Sequence, residues 1–334
     1  MKHNLIQEET EKLINLSLVG TKLISETGKA EKMKTTEKEF SSDEDALKAF
    51  TKKEWESLKK GFVLRNENPR QGEAFLHYFV GGGYTGALSF QHSPKGIFVY
   101  KNDVKKDFLE LLDSFGNVLQ EIELPKILAW NIEYRSETDS LLLDLDHHIF
   151  EYKIEDNSFS LLGKGQRSWT SFVSVAKEKT AFAMDKKFFI IDKLNNVLLS
   201  QDYKVETIAG TTAFCAKLSD DGSLLAFHNK KGEVQIINTA NGAILSTIIG
   251  GFHSIDQMEF ADNNNMPVVR DEYGTWRVHY FELSTSKEIE MKNLEIPNYS
   301  KDVHTFCFNA DQSKLANNYV DIYCKMVENK LNEI

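Results

Sequence analysis

Three short motifs contain residue types that could perform chemistry. Val80–Gly86 is glycine-rich, but it lacks the Gly-Lys-Ser/Thr ending that would hold phosphate and magnesium. Asp144–His148 combines acids with histidines, and a turn between two strands explains this cluster better than a metal site. Asp262–Met266 resembles a calcium loop in composition, yet the glycine and the distant glutamate of such a loop are missing. The sequence therefore predicts no metal and no cofactor.

A nucleophilic active site is not indicated either. The sequence has no Gly-x-Ser-x-Gly motif. Its three cysteines lie in apolar strand patterns, where a thiol is expected to be buried and inert. Free thiols in odd number fit a reducing cytoplasm. The cysteines are Cys215, Cys307 and Cys324.

Composition and charge narrow the class of protein. No stretch approaches the roughly 18 to 20 uninterrupted apolar residues that a membrane helix needs, and the N-terminus has no apolar signal core. We therefore expect a cytoplasmic protein without membrane contact. The net charge of −10 argues against unspecific nucleic-acid binding by the whole surface. Residues 1–64 contain twelve lysines and twelve acids, so the acid excess lies in the remainder.

A repeat of about 40 residues runs from near Gly86 to the C-terminus, and it sets the expected fold. Each unit has alternating apolar residues, a polar turn, a second apolar run and two further strand-like runs. The last apolar residue before the first turn of each unit serves as an anchor, and successive anchors are 44, 41, 43, 42 and 48 residues apart. Four short strands per unit at this period predict a β-propeller. The anchors are Phe90, Tyr134, Val175, Leu218, Phe260 and Phe308.

Residues 73–334 resemble WD-repeat proteins at the level of pattern. Ser219–Phe227 is the best single match to the turn between the first two strands of a blade, although no unit ends in Trp-Asp. The last unit has no convincing fourth strand, and an unpaired edge would invite association. We therefore expect the strand near Ala74–Val80 to complete it. The predicted fold is mainly β, with a six-bladed propeller; seven blades are the alternative, if residues 62–85 build a further partial blade.

The first 64 residues do not follow the repeat. Their pattern predicts a small α+β domain of three strands, within residues 13–40, followed by a helix. Ser41–Asp45 offers an N-cap with acids in the first turn, and Lys59–Gly61 closes the helix. The polar segment 65–72, which contains Pro and Gly, is the predicted linker. The predicted domains are thus 1–64 and 73–334.

Residues 10–64 resemble the WGR domain, a small module of sheet and helix named after a Trp-Gly-Arg motif. In this chain Thr27-Gly28-Lys29 stands at that motif, so only the glycine is retained. In poly(ADP-ribose) polymerases WGR domains contact DNA ends, and the resemblance therefore implies a nucleic-acid-binding adaptor as an alternative function. The resemblance rests on Gly20-Thr21, Gly28, Lys38–Phe50 and Leu58–Val63.

Four lysines of this segment could line one face of a strand pair and meet phosphates. Four glutamates alternate with them in sequence and would offset much of that field. A solvated edge of mixed charge is therefore the ordinary alternative. The lysines are Lys29, Lys32, Lys34 and Lys38, and the glutamates are Glu26, Glu31, Glu37 and Glu39.

The resemblance to WD-repeat proteins implies a non-catalytic scaffold for a protein partner. Loops that enter the innermost strands of a propeller gather on one face, and aromatic residues and arginine there dominate interface energies. A propeller hydrolase is the less favoured alternative, because it would need acids or histidines where the blades begin with apolar residues such as Ile132 and Ile255. The predicted partner surface is Trp130, Arg167, Trp169, Phe252, His253 and Tyr299.

Overall fold

The structure of the protein is a computed structural model. It describes residues 1–66, 68–69, 74–79, 90–102, 106–113, 116–126, 129–145, 148–164, 173–184, 187–194, 196–202, 215–228, 232–252, 255–261, 266–271, 277–289, 303–308, 314–319 and 323–328. In the last three ranges, and at residues 102, 130, 163–164, 173, 184, 256, 266, 270–271 and 277–278, the description covers the backbone alone.

The N-terminal unit, residues 1–65, precedes a series of short antiparallel strands. Its elements are β1 (Lys2–Gln7), a 3₁₀ turn (Glu8–Thr10), β2 (Lys12–Val19), β3 (Lys22–Lys29), β4 (Lys32–Glu39), α1 (Asp43–Leu58) and β5 (Val63–Arg65). A single strand, β6 (Ala74–Phe79), follows it.

Five four-stranded antiparallel sheets come next, each made of consecutive strands. Sheet 1 contains β7 (Phe90–Ser93), β8 (Gly96–Asn102), β9 (Asp107–Leu112) and β10 (Val118–Glu123). Sheet 2 contains β11 (Ala129–Arg135), β12 (Ser140–Leu145), β13 (His148–Lys153) and β14 (Ser158–Lys164). Sheet 3 contains β15 (Val173–Ala176), β16 (Lys179–Met184), β17 (Lys187–Asp192) and β18 (Val197–Asp202).

Two further sheets complete this series, and one set of three strands follows them. Sheet 4 contains β19 (Ala216–Leu218), β20 (Leu224–His228), β21 (Val234–Asn238) and β22 (Ile244–Ile248). Sheet 5 contains β23 (Ile255–Ala261), β24 (Met266–Asp271), β25 (Arg277–Glu282) and β26 (Lys287–Glu288). The last strands are β27 (Val303–Phe308), β28 (Lys314–Tyr319) and β29 (Tyr323–Glu328).

The first strands of these sheets form a closed circle of contacts. Each of β7, β11, β15, β19 and β23 contacts the first strand of the next sheet, and β27 contacts both β23 and β7. Four-stranded units whose first strands meet around one axis are the arrangement that a β-propeller requires. The predicted strands and the predicted period of the repeat are thus confirmed for the sheets described. Leu145 of β12 pairs with His148 of β13, so the Asp144–His148 motif joins two antiparallel strands, as predicted, while Asp146 and His147 lie outside the described residues.

The last sheet joins the two ends of the chain. Its nine strands run in the order β27-β28-β29-β6-β5-β1-β2-β3-β4. β6 pairs antiparallel with β29, so the prediction that this strand completes the last unit is confirmed. On its other side β6 pairs with β5, where Leu64 lies opposite His77, and β5 in turn pairs with β1. Arg65, which was predicted to open the linker, therefore belongs to a strand that ties the N-terminal unit to the ring.

The N-terminal unit contains the three predicted strands and the predicted helix, and β1 in addition. Ser42 caps α1, since its hydroxyl accepts a hydrogen bond from the Asp45 N–H at 3.1 Å. Gly28 has φ +152°, and a Cβ there would lie 2.1 Å from the Lys32 carbonyl oxygen. The glycine retained at the WGR-like position is thus required by the backbone itself.

The N-terminal unit also shares its hydrophobic core with the ring. Leu16 and Phe50, which lie in the sheet and on α1, belong to the same buried cluster as Val268 and Tyr280 of sheet 5. Phe50 is 1% exposed and Tyr280 is 1% exposed. Apolar burial of this kind is the dominant favourable term in folding, so the two parts stabilise each other.

A charged group is buried at the same junction. Glu54 of α1 lies 2.9 Å from Nδ1 of His77 on β6 and 3.2 Å from Nδ1 of His3 on β1. An ionised carboxylate only accepts, so the His77 imidazole donates to it, while His3 lies within ion-pairing distance. Burial raises the pKa of Glu54, but the interactions with His3 and His77 outweigh burial and hold that pKa well below its ordinary value. One carboxylate therefore links three elements, two in the N-terminal unit and one in the ring.

Candidate interaction surfaces and the ring axis

Most of the predicted partner surface lies outside the described residues. Trp130 belongs to β11, and its side chain is not described. Four other members lie outside the described residues: Arg167, Trp169, His253 and Tyr299. Their assignment to a partner surface stays a prediction.

Phe252 is described, and it is a core residue. Its side chain is 4% exposed, and its ring packs edge to face on Phe281 with 5.6 Å between the ring centroids. A Cβ at Gly250 would lie 2.2 Å from this ring. Phe252 therefore fills a gap between sheets 4 and 5 and does not offer its ring to a partner. The sequence suggested otherwise because Phe252 follows two glycines in a loop, where aromatic side chains are often exposed.

Exposed aliphatic residues occur in pairs on the outermost strands of sheets 1 to 4. Their exposed fractions lie between 45% and 58%, on strands whose outer edges face no other strand of the sheet. We call these eight residues the rim pairs. They are Val118 and Leu119, Leu161 and Leu162, Val197 and Leu198, and Ile244 and Leu245.

A β-bulge explains why two consecutive residues are exposed in each rim pair. In a regular strand, neighbours point to opposite faces of the sheet. In sheet 1 the register passes from Val118 to Gln120, so Leu119 is the extra residue. The same shift makes a leucine the extra residue in sheets 2, 3 and 4. Bulges bend and twist a strand locally, and they occur preferentially at sheet edges.

The nine-stranded sheet has the same bulge, but there it is covered. The register of β29 against β6 passes from Leu76 to Ala74, so Phe75 is the extra residue. Phe75 is partly buried and packs, together with Val63 of β5, against the core of sheets 1 and 2. In this sheet the bulged residue is thus partly buried, whereas the rim leucines of the other sheets are exposed.

The four lysines predicted as a phosphate-binding patch share one face of the β3–β4 ribbon. In the register, Lys29 lies opposite Lys32, Thr27 opposite Lys34 and Leu23 opposite Lys38. Lys29 also pairs with Glu11 at 3.6 Å, at an exposed position. Lys38 lies over the Phe40 ring at 4.8 Å.

The same register places three of the four glutamates on the opposite face of the β3–β4 ribbon. Glu26 lies opposite Thr35, Ile24 opposite Glu37 and Lys22 opposite Glu39, and these positions alternate with those of the lysines. Lys22 pairs with Glu37 on that second face. Glu26, Glu37 and Glu39 therefore lie on the other face of the sheet from the four lysines, and the offset of the lysine field by these glutamates stays a prediction. We call Lys29, Lys32, Lys34 and Lys38 the lysine face.

Three buried charges meet at the ring axis. Lys217 of β19 lies 2.7 Å from Glu133 of β11 and 3.0 Å from Glu259 of β23. β11 and β19 are first strands of sheets that are not neighbours, so this contact crosses the centre of the ring. Burial lowers the pKa of Lys217, but Glu133 and Glu259 together outweigh it and raise that pKa above its ordinary value. We call these three residues the axial cluster.

The axial cluster was missed in the sequence, although a signal for it exists. Each of its members directly precedes an anchor of the repeat, since Glu133 precedes Tyr134, and Lys217 and Glu259 precede the anchors of their own units. The apolar residues at the strand starts, such as Ile132, form the more obvious sequence pattern, and the charged residues beside them do not stand out. A charged residue at the same register position in three repeats predicts that these residues approach one another at the axis.

Comparisons with known proteins address the fold. No protein-family model and no curated protein matches the sequence. Among solved structures, a chain of the crystal structure of a mitotic checkpoint complex has a TM-score of 0.55 and 11% sequence identity. The match covers 80% of this chain and 98% of that chain. No described helix is long and apolar enough to cross a bilayer. The match and the circle of four-stranded sheets together support a β-propeller fold.

Proposed function

We propose that this protein is a non-catalytic cytoplasmic scaffold, a six-bladed propeller that binds a protein partner. The sixth blade consists of β27, β28, β29 and β6, and the N-terminal unit extends it. The observation that carries the proposal is the set of rim pairs. The rim pairs expose apolar side chains on the outermost strands of four successive sheets, and protein partners commonly cover exposed apolar surface.

The kind of partner follows from the covered counterpart of the rim pairs. β5 adds to β6 as an extended strand, and Val63 of β5 and the bulged Phe75 both pack against the core of sheets 1 and 2. An extended segment of another protein can add to an outer strand in the same way, with main-chain hydrogen bonds for affinity and apolar side chains for specificity. The rim leucines are then the side chains that such a segment covers.

The loop face around Trp130 and Trp169 is the second surface of the same function. Tryptophan and arginine are the residue types that contribute most to interface energy when a partner buries them. Arg167, His253 and Tyr299 extend this face, and Phe252 is omitted because it is buried. The resemblance to WD-repeat proteins, which generally bind partners through propeller faces, supports this assignment.

Photo-crosslinking from single positions distinguishes the two surfaces. A photoreactive amino acid is placed at Leu198 or Leu245 on the rim, at Trp169 on the loop face, or at Val19 as control. Val19 is 67% exposed and lies in the N-terminal unit, away from both surfaces. We expect a discrete crosslinked protein from the rim positions, identified by mass spectrometry, and none from Val19. Crosslinking from Trp169 alone would move the site to the loop face, and none from either would contradict the scaffold function.

Binding of nucleic acid through the lysine face is the second candidate function. Within the described residues, no carboxylate lies within ion-pairing distance of Lys32 or Lys34. Residues two apart on a strand are roughly 6.8 Å apart, so these two ammonium groups can contact neighbouring phosphates of one strand. The separation of lysines from glutamates by the register favours this function over a mixed-charge edge.

A charge reversal tests this candidate. The variant Lys32→Glu/Lys34→Glu is compared with Lys2→Glu/Lys60→Glu, which changes the net charge equally at exposed positions off the lysine face. Affinity for a short DNA duplex is measured by anisotropy between low and physiological salt. Each lost phosphate contact lowers the slope of log K against log salt by about 0.9, so we expect a loss of roughly 2 in the first variant alone. Equal losses in both variants, or no salt-dependent binding, would exclude the lysine face as the site.

A further inference from the structure

The charges of the axial cluster do not balance. Two carboxylates, Glu133 and Glu259, share the single ammonium group of Lys217, and the side chains are 7%, 13% and 11% exposed. An uncompensated charge is costly in such a place because solvent cannot screen it. A proton on one carboxylate removes the excess charge and leaves a neutral cluster.

We propose that the ring axis is a one-proton switch, in which the Glu259 carboxyl group holds a proton at lower pH and releases it at higher pH. The bound proton leaves a neutral carboxyl group beside one lysine–carboxylate pair. Its release leaves one negative charge in excess at the centre of the ring. The switch does not depend on a bound partner.

Within the part of the chain that the structure describes, the neighbours of the cluster offer little to offset that excess. Gln257 of β23 donates a hydrogen bond to Glu259 at 3.4 Å. Arg135, two residues beyond Glu133 on β11, is directed to Glu151 at 3.7 Å. On β15 the Ser174 hydroxyl accepts a hydrogen bond from the Leu218 N–H at 2.9 Å. The equivalent sequence positions of the remaining two units hold Ser89 and Cys307, neither of which carries a positive charge.

The titration of Glu259 agrees with this geometry. Burial raises its pKa most, and the neighbouring charge of Glu133 raises it further, while Lys217 lowers it; the result is a pKa of about 7. A carboxyl group whose pKa is raised in the folded state holds its proton more tightly there than in the unfolded chain. Its contribution to stability is complete below the ordinary carboxyl pKa and is lost as the pH rises through about 7.

Stability measured against pH tests the switch. Release of one proton on unfolding raises the unfolding equilibrium constant by up to about tenfold per pH unit between pH 5 and 7. Glu259→Gln removes the excess charge, so we expect its curve to be flatter than that of the natural protein in this range. Lys217→Met leaves two carboxylates without an ammonium group, and we expect a steeper curve with the greatest loss at pH 8.

An exposed ion pair supplies the matched control. Glu121 lies 2.8 Å from Lys106 at the surface, and Glu121→Gln is expected to keep the slope of the natural protein. Carbon-13 titration of glutamate carboxyl groups in the unaltered protein gives a second readout that needs no variant. A resonance with a midpoint near pH 7, absent in Glu259→Gln, supports the switch. Equal slopes in the natural protein and Glu259→Gln, or carboxyl midpoints that all lie below pH 5.5, would overturn it.

Discussion

A chain that begins at Gln71 is expected to lose cooperative unfolding and to aggregate. Removal of the N-terminal unit takes β5 from β6 and leaves that edge unpaired beside the last blade. It also uncovers Ala261, Val268 and Tyr280 of sheet 5, which now pack against the unit. Calorimetry and sedimentation of the shortened and the full chain measure the effect.

Cleavage of the intact protein provides the control for this truncation. A protease site is inserted in the connection between Asn66 and Ala74, and the folded chain is cut after purification. Because strand pairing and the shared core hold the N-terminal unit, we expect both fragments to stay together and to unfold with nearly the original midpoint. A shortened chain that unfolds as cooperatively as the full one would instead show two independent domains, as the sequence predicts.

Replacement of Glu54 by alanine is expected to lower the free energy of unfolding by about 3–5 kcal/mol at neutral pH, the typical cost of removing one partner of a buried charged group. The change leaves His3 and His77 facing each other without their shared acceptor. Denaturant unfolding at pH 7 measures the loss. Glu54→Gln keeps the volume and one acceptor, so we expect a smaller loss than for alanine.

The loss depends on pH in a defined direction. The pKa of Glu54 is lower in the folded protein than its ordinary value. Its contribution to the free energy of unfolding is therefore present above the ordinary carboxyl pKa and is lost as the pH falls through the lower pKa of the folded state. The difference between natural protein and alanine variant should therefore shrink only in strong acid. Glu56, an exposed residue on the same helix, gives the matched control Glu56→Ala. Equal losses in the two alanine variants would refute the role of Glu54 at the junction.

The ring could be predicted from the repeat because the strands of each blade are consecutive in the sequence. Anchors such as Tyr134 and Leu218 mark strands whose partners lie within the next 20 residues or so, and hairpin pairing needs no distant information. β5 was missed because its pairing is non-local, and β1, although it pairs with the next strand β2, was missed as well. Val63–Arg65 is too short to show alternation, and its partners lie near residues 5 and 77.

The candidate sites were predictable only in part, for a related reason. The lysines of β4 were recognised, but their separation from the glutamates depends on the exact pairing with β3, which a one-residue slip would reverse. Bulged leucines such as Leu198 look like ordinary core residues in sequence, since a bulge leaves no compositional mark. The axial cluster can be recognised only when three repeats are aligned with single-residue accuracy, because Glu133, Lys217 and Glu259 then fall at the same position.

The pairing of β6 with β29 has a consequence for synthesis on the ribosome. β6 ends at Phe79 and its partner begins at Tyr323, so about 240 residues are made between them. At about 5–20 residues per second, the free edge of β6 waits roughly 12–50 s for its partner. During that time the nascent chain carries an open strand edge that other chains can pair with, and closure must await the synthesis of β29. Slowing translation should therefore favour co-aggregation of nascent chains, and a chaperone that covers strand edges should suppress it.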